Sequence, residues 1–164
     1  MNRRSGLRLL LGLLPLCAGV AMAQDDPGKA SMGKVTVTVY YGTNGNPAVA
    51  GPRFKGTSQA VEKQLRDVEQ LSFKHYRLLG GDTQPLFRSY ENWAQPLKPS
   101  DEILVRFEAR SRPTPDSTRL DLELWISRKK ILKTDAALEG SRPLFVLGPE
   151  WRGGRLIIAV SLAS

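Results

Sequence analysis

The sequence predicts a mainly β domain of the α+β kind. It reads as an antiparallel β-sandwich-like arrangement of about seven strands, with one amphipathic helix inserted after the first. Three observations carry that reading. Apolar and polar residues alternate with period two in most apolar segments from Lys34 to Leu162, while helical spacing is convincing only once, between Ser58 and Leu71. The late connections are also short, and short connections demand antiparallel pairing because parallel strands need a long crossover.

Structure is expected to start at Lys34, after a polar leader, 24–33, that carries Pro27, Gly28 and Gly33. Val35, Val37, Val39 and Tyr41 alternate with Thr36, Thr38 and Tyr40, residue types that favour strands. Residues 42–56 are dense in Gly, Asn and Pro and read as a loop. Thr57 or Ser58 caps a helix whose stripe is Val61, Leu65, Val68 and Leu71, with Glu62 and Arg66 spaced as an i,i+4 pair. Phe73 to Leu79 is a strand expected to end at Gly80-Gly81. The proline-bearing stretch from Asp82 to Ser100 is irregular, with one short strand near Leu86–Tyr90. Ile103, Val105, Phe107 and Ala109 alternate with Leu104, Arg106, Glu108 and Arg110. Pro113 and Pro115 then turn the chain. The cleanest strand has Leu120, Leu122, Leu124 and Ile126 on one face and Asp121, Glu123, Trp125 and Ser127 on the other. Arg128-Lys129-Lys130 is the expected hairpin tip before Ile131 to Leu138. Two last strands, Leu144 to Leu147 and Leu156 to Leu162, flank the loop 148–154.

The domain plan is a signal peptide over 1–23, the leader, and a single β-rich domain over 34–164. Arg3, Arg4 and Arg8 form a basic head, Leu9 to Val20 is apolar, and Ala21-Met22-Ala23 fits the small-x-small cleavage pattern. The 15 residues from Leu9 to Ala23 fall short of the roughly 18–20 that cross a bilayer as a helix. That shortness disfavours an uncleaved anchor, and bulky Leu16 before Cys17 disfavours a lipoprotein. Cleavage removes Cys17, the only cysteine, so the mature chain has no disulfide or thiolate chemistry. The expected product is periplasmic or secreted, with no stable membrane span after cleavage.

At 164 residues, 41% hydrophobic and 24% charged, the chain has the composition of an ordinary globular domain. The formal charge is +8, and loss of the three signal-peptide arginines leaves +5. In an envelope setting that favours an anionic surface or acidic partner over DNA, and no nucleic-acid module is present. Arg128, Lys129, Lys130 and Lys133 are the densest basic group, and such residues at a hairpin tip commonly guard an edge strand.

Signals for catalysis are sparse. Residues 51–58, GPRFKGTS, nearly match a phosphate-binding loop, but Thr57 stands where its lysine belongs, and a turn with a helix cap explains the same residues. His75 is the only histidine, no metal-ligand spacing surrounds it, and it becomes a general base only if distant residues converge on it. Asp25-Asp26 and Asp101-Glu102 are adjacent pairs, and adjacent carboxylates on a strand point to opposite faces. No catalytic residue, cofactor or metal ligand is therefore expected.

The candidate contact residues are Tyr40, Trp125, Trp151, Asn44 and Asn46. Parity puts Tyr40 and Trp125 opposite the aliphatic rows, where an aromatic can stack on a sugar or anchor a protein. The competing reading is that the helix docks over them, the commoner arrangement of helix and sheet. Trp151 and the two asparagines belong to loops.

Val37-x-Val39-Tyr40-Tyr41-Gly42-Thr43-Asn44, then Pro47-Ala48-Val49-Ala50-Gly51-Pro52, a short helix and Phe73-Lys74-x-Tyr76 form one extended pattern. With Val146-Leu147-Gly148-Pro149 and Gly154-x-Leu156-Ile157-Ile158-Ala159-Val160, the chain resembles an uncharacterised family of small secreted bacterial proteins. The resemblance implies export and this organisation, and no catalytic residue. The expected function is non-enzymatic binding of an envelope protein or cell-surface polymer. A glycan-binding module using the aromatics, and a small hydrolase with His75 as base, are the alternatives.

Overall fold

A computed structural model describes residues 25–98, 100, 102–114 and 116–163. The expected signal peptide, Cys17 and Asp101 lie outside those residues. The alternating segments form nine strands among the described residues: β1 (Ser31–Thr43), β2 (Lys55–Gly56), β3 (His75–Phe87), β4 (Asn92–Ala94), β5 (Ile103–Thr114), β6 (Ser117–Ile126), β7 (Lys129–Glu139), β8 (Leu144–Trp151) and β9 (Gly154–Leu162). The single α-helix among the described residues, α1 (Gln59–Arg66), lies between β2 and β3. Five strands in the order β2-β3-β1-β9-β8 make one sheet, and four in the order β4-β5-β6-β7 make the other. Every pairing is antiparallel, and the two sheets pack face to face as a mainly β sandwich.

The aliphatic rows read from the sequence meet in that interface. Val35, Val37 and Val39 of β1 and Leu156, Ile158 and Val160 of β9 pack against Ile103, Val105 and Phe107 of β5 and Leu120, Leu122 and Leu124 of β6. All are essentially inaccessible to solvent, and burial of each such side chain is worth roughly 1.5–3 kcal/mol. Tyr41 joins this core and donates its hydroxyl to the Arg152 carbonyl at 2.9 Å.

Several expectations shift on contact with the tertiary structure. The chain is ordered before Lys34: Asp26 caps a 3-10 turn over Pro27–Lys29, β1 begins at Ser31, and Ser31 pairs with Phe87. Gly80-Gly81 does not end β3, which runs to Phe87 along β1 with Leu79 bulged out of register. Pro85 is tolerated because β3 pairs with β2 only at Arg77 and Leu78, leaving an open side where no N–H is required. Of the short strand expected at Leu86–Tyr90, only Leu86 and Phe87 are strand, as the end of β3, and the separate short strand is β4. The hairpin tip is Ser127-Arg128, both in left-handed conformation, with Lys129 and Lys130 already in the edge strand β7. Residues 148–154 are largely strand: a register shift between Leu147 and Glu150 absorbs the Gly148-Pro149 step, and only Arg152-Gly153 turn.

The helix is shorter than its stripe. Ser58 caps α1, accepting the Val61 N–H at 3.4 Å, but Asp67 closes it. Val68 is extended and exposed, and Leu71 is buried from a separate 3-10 turn, Glu69–Leu71. Tyr76 ties that turn down by donating to the Leu71 carbonyl and accepting the Phe73 N–H, each at 2.8 Å. Leu65, Leu71, Tyr76 and Ile157 form a second small core on the outer side of the five-stranded sheet.

Candidate functional site

With α1 on the five-stranded sheet, the outer face of the four-stranded sheet is left to its own side chains. The inward rows of β5 and β6 fix what points outward. Register then aligns Trp93, Arg106, Glu123 and Lys133 in one row across all four strands. A neighbouring row sets Glu108, Asp121 and Asp135 side by side. Like charges directly opposite destabilise a sheet unless cations bridge them; Arg106 does so for Glu108 and Asp121, while Asp135 makes no ion pair among the described residues.

Arg106 is the hub. Its Nε donates to Glu91 Oε2 and its Nη2 to Glu108 Oε2 at 2.9 Å, while Nη1 lies 4.0 Å from Asp121 and 3.9 Å from Glu123. Asp121 also accepts from Arg110 at 2.7 Å and pairs with Lys133 at 3.3 Å. Glu123 accepts the Trp125 indole N–H at 3.0 Å and pairs with Lys130 at 3.4 Å. Asp121 and Glu123 are only 3% and 6% exposed, although they sit one side-chain layer from solvent under these long cations. Burial pushes both carboxyls up, but the hydrogen bonds and charges from Lys133 and Arg110 on Asp121, and from Trp125 and Lys130 on Glu123, leave both below their ordinary values. Glu91 is lowered as well, chiefly by Arg106. These groups stay ionised near neutrality, which suits charge-matched contact rather than proton transfer. Asp121 Oδ1 is buried with no hydrogen-bond partner among the described residues.

Two half-buried tryptophans complete the face. The Trp93 and Trp125 rings lie 5.8 Å apart at 57°, and the Lys130 ammonium stands 5.5 Å from the Trp125 ring centre. Trp93 donates its indole N–H to Glu91 at 3.3 Å, so carboxylates orient both rings. Arg110, Lys130 and Lys133 are each about half exposed around them. Comparison with protein-family models, curated proteins and solved structures finds no match.

Of the five candidate contact residues, only Trp125 belongs to this face, and Lys130 and Lys133 of the basic group surround it. Tyr40 is half-buried in the small core with Leu65 and Val61 of α1, and that burial raises its phenol. Trp151 packs against the main core, edge-on to Tyr41 and Phe54, and donates to Glu102 Oε1 at 3.0 Å. Asn44 and Asn46 shape the loop: Asn44 accepts the Lys74 N–H, and Asn46 caps the 3-10 turn Pro47–Ala50. His75 is exposed at the start of β3 opposite Thr43, and no hydroxyl or carboxylate among the described residues bonds to it. The near-match at 51–58 folds as β2 and the cap of α1, with no phosphate cradle.

Sequence reasoning missed Trp93 and the Arg106 hub. Trp93 sits in a three-residue strand within a proline-bearing stretch, too short to show a period. No group of three or more His, Cys, Asp or Glu among the described residues is arranged to hold a metal ion. No helix among them is long and apolar enough to cross a membrane.

Proposed function

We propose that the protein is exported to the cell envelope and works there without catalysis, holding a protein partner on the outer face of its four-stranded sheet. The observation that carries this reading is the Trp93–Trp125 pair, half-buried beside Arg106 on a face that the helix leaves open. Trp and Arg are the side chains most enriched where interfaces draw their affinity, and the surrounding paired charges give orientation and specificity. The basic-apolar-small pattern of residues 1–23 and the resemblance to small secreted proteins support export.

The test compares the mature wild-type protein with Trp93→Ala/Trp125→Ala as cross-linking bait in envelope extract. A partner captured by the wild type and lost from the double variant supports the reading, and identical partner sets overturn it. A glycan array probed with the same pair decides the second reading: sugar binding abolished by the double variant turns the partner into a polysaccharide. N-terminal sequencing of the purified protein tests export, with Gln24 expected as the first residue and Met1 refuting it.

A further inference from the structure

A different part of the molecule has the chemistry of a ligand site. Between the β2–β3 edge of the five-stranded sheet and the 96–98 segment after β4, the sandwich opens sideways into a cleft of about 440 Å³. That size falls in the usual range for small-molecule sites. Its apolar wall comprises Phe54 and Leu97, both packed against the main core, together with buried Leu79 and 40%-exposed Leu78. Its rim carries Arg53, Lys55 and Lys98.

The charge on that rim is not balanced as it is on the tryptophan face. The nearby acid is Asp82, already committed to Lys98 at 3.0 Å, to the Gln95 N–H at 2.8 Å and to Gln84. Arg53 and Lys55 make no ion pair among the described residues. Exposed Arg53 lies over the wall, its guanidinium 4.7 Å from the centre of the Phe54 ring. A guanidinium beside an ammonium, both unpaired among the described residues and over an apolar wall, matches an anion joined to an apolar body.

The geometry points to a binding site for a small anionic amphiphile, its carboxylate or phosphate met by Arg53 and Lys55 and its apolar part laid against Phe54, Leu97 and Leu79. The site shares no residue with the tryptophan face, so either proposal can fail alone.

Fluorescence titration with 1-anilinonaphthalene-8-sulfonate tests it, with N-phenyl-1-naphthylamine as the same body without the anion. The sulfonate is expected to bind the wild type at least tenfold more tightly than the neutral probe. Arg53→Gln/Lys55→Gln is expected to erase that preference while leaving the neutral probe unchanged. Leu97→Ser weakens both probes, whereas Lys129→Gln/Arg142→Gln, on exposed positions away from both sites, leaves both as in the wild type. Decanoate displaces the sulfonate probe and millimolar inorganic phosphate does not. Equal affinity of the two probes for the wild type, an unchanged preference in Arg53→Gln/Lys55→Gln, or displacement by phosphate as readily as by decanoate overturns the proposal. Circular dichroism of each variant confirms that the fold is retained.

Discussion

Gly80 and Gly81 are neighbours in one strand, yet substitution to alanine should cost stability at Gly80 and none at Gly81. A Cβ on Gly80 would overlap the Pro96 carbonyl oxygen, and it would come within 3.2 Å of that carbonyl carbon and 3.4 Å of Leu97 Cδ2. The obstruction is mostly backbone and cannot rotate away. Overpacking costs about 1–3 kcal/mol, and Gly80→Ala belongs at the top of that range, near 3. For a domain of this size 1 kcal/mol corresponds to about 2–4 °C, so Tm should fall by about 6–12 °C. Gly81 is exposed, and a Cβ there would meet the Val37 oxygen at 3.5 Å and Thr38 Oγ1 at 3.6 Å, which is ordinary contact. Gly81→Ala should leave stability unchanged or raise it by up to about 1 kcal/mol, because alanine restricts the unfolded chain. Urea unfolding with matched thermal melts measures both variants. Equal losses would refute the reasoning, since they would mean that the Pro96 segment does not press on Gly80.

Acid should destabilise the protein partly through Asp121. Its carboxyl is depressed in the folded state, so its stabilisation is complete above the unfolded value of about 3.9 and disappears as pH falls through the lower folded value. The urea midpoint of the wild type should drop between pH 5 and pH 3, and Asp121→Asn should drop less; parallel slopes would contradict this. Tyr76→Phe strands the Leu71 carbonyl and the Phe73 N–H, so chemical denaturation should register a loss of about 1–3 kcal/mol; no measurable loss would mean those bonds do not fasten the turn. Arg142 pairs with Glu139 across side chains 81% and 63% exposed, and calorimetry of Arg142→Ala should show a change under about 0.5 kcal/mol, with anything above 1 counting against the surface assignment.

Much of the sandwich was legible in the sequence because burial in a sheet writes a period of two. Valines 35, 37 and 39 and leucines 120, 122 and 124 declare their strands and their inward faces by alternation alone. Thr57-Ser58 likewise announced the start of the helix, and Ser58 is the residue that caps it. Parity also put Tyr40 and Trp125 opposite the aliphatic rows, but parity is a property of one strand. Which of the two outer faces lies under the helix depends on where α1 docks, and that depends on partners far away in the chain, such as Ile157.

The same divide explains the rest. Local alternation and chain length determined the fold class, the core rows and helix α1, because each follows from how one segment partitions between water and protein. Pairing and docking decided that Gly80-Gly81 is mid-strand, that Trp93 joins Trp125, and that Arg106 gathers carboxylates from β5, β6 and the residue before β4. Those arrangements come from register between segments and from which edges close the sandwich, interactions whose energy is spread across residues that no local window contains together.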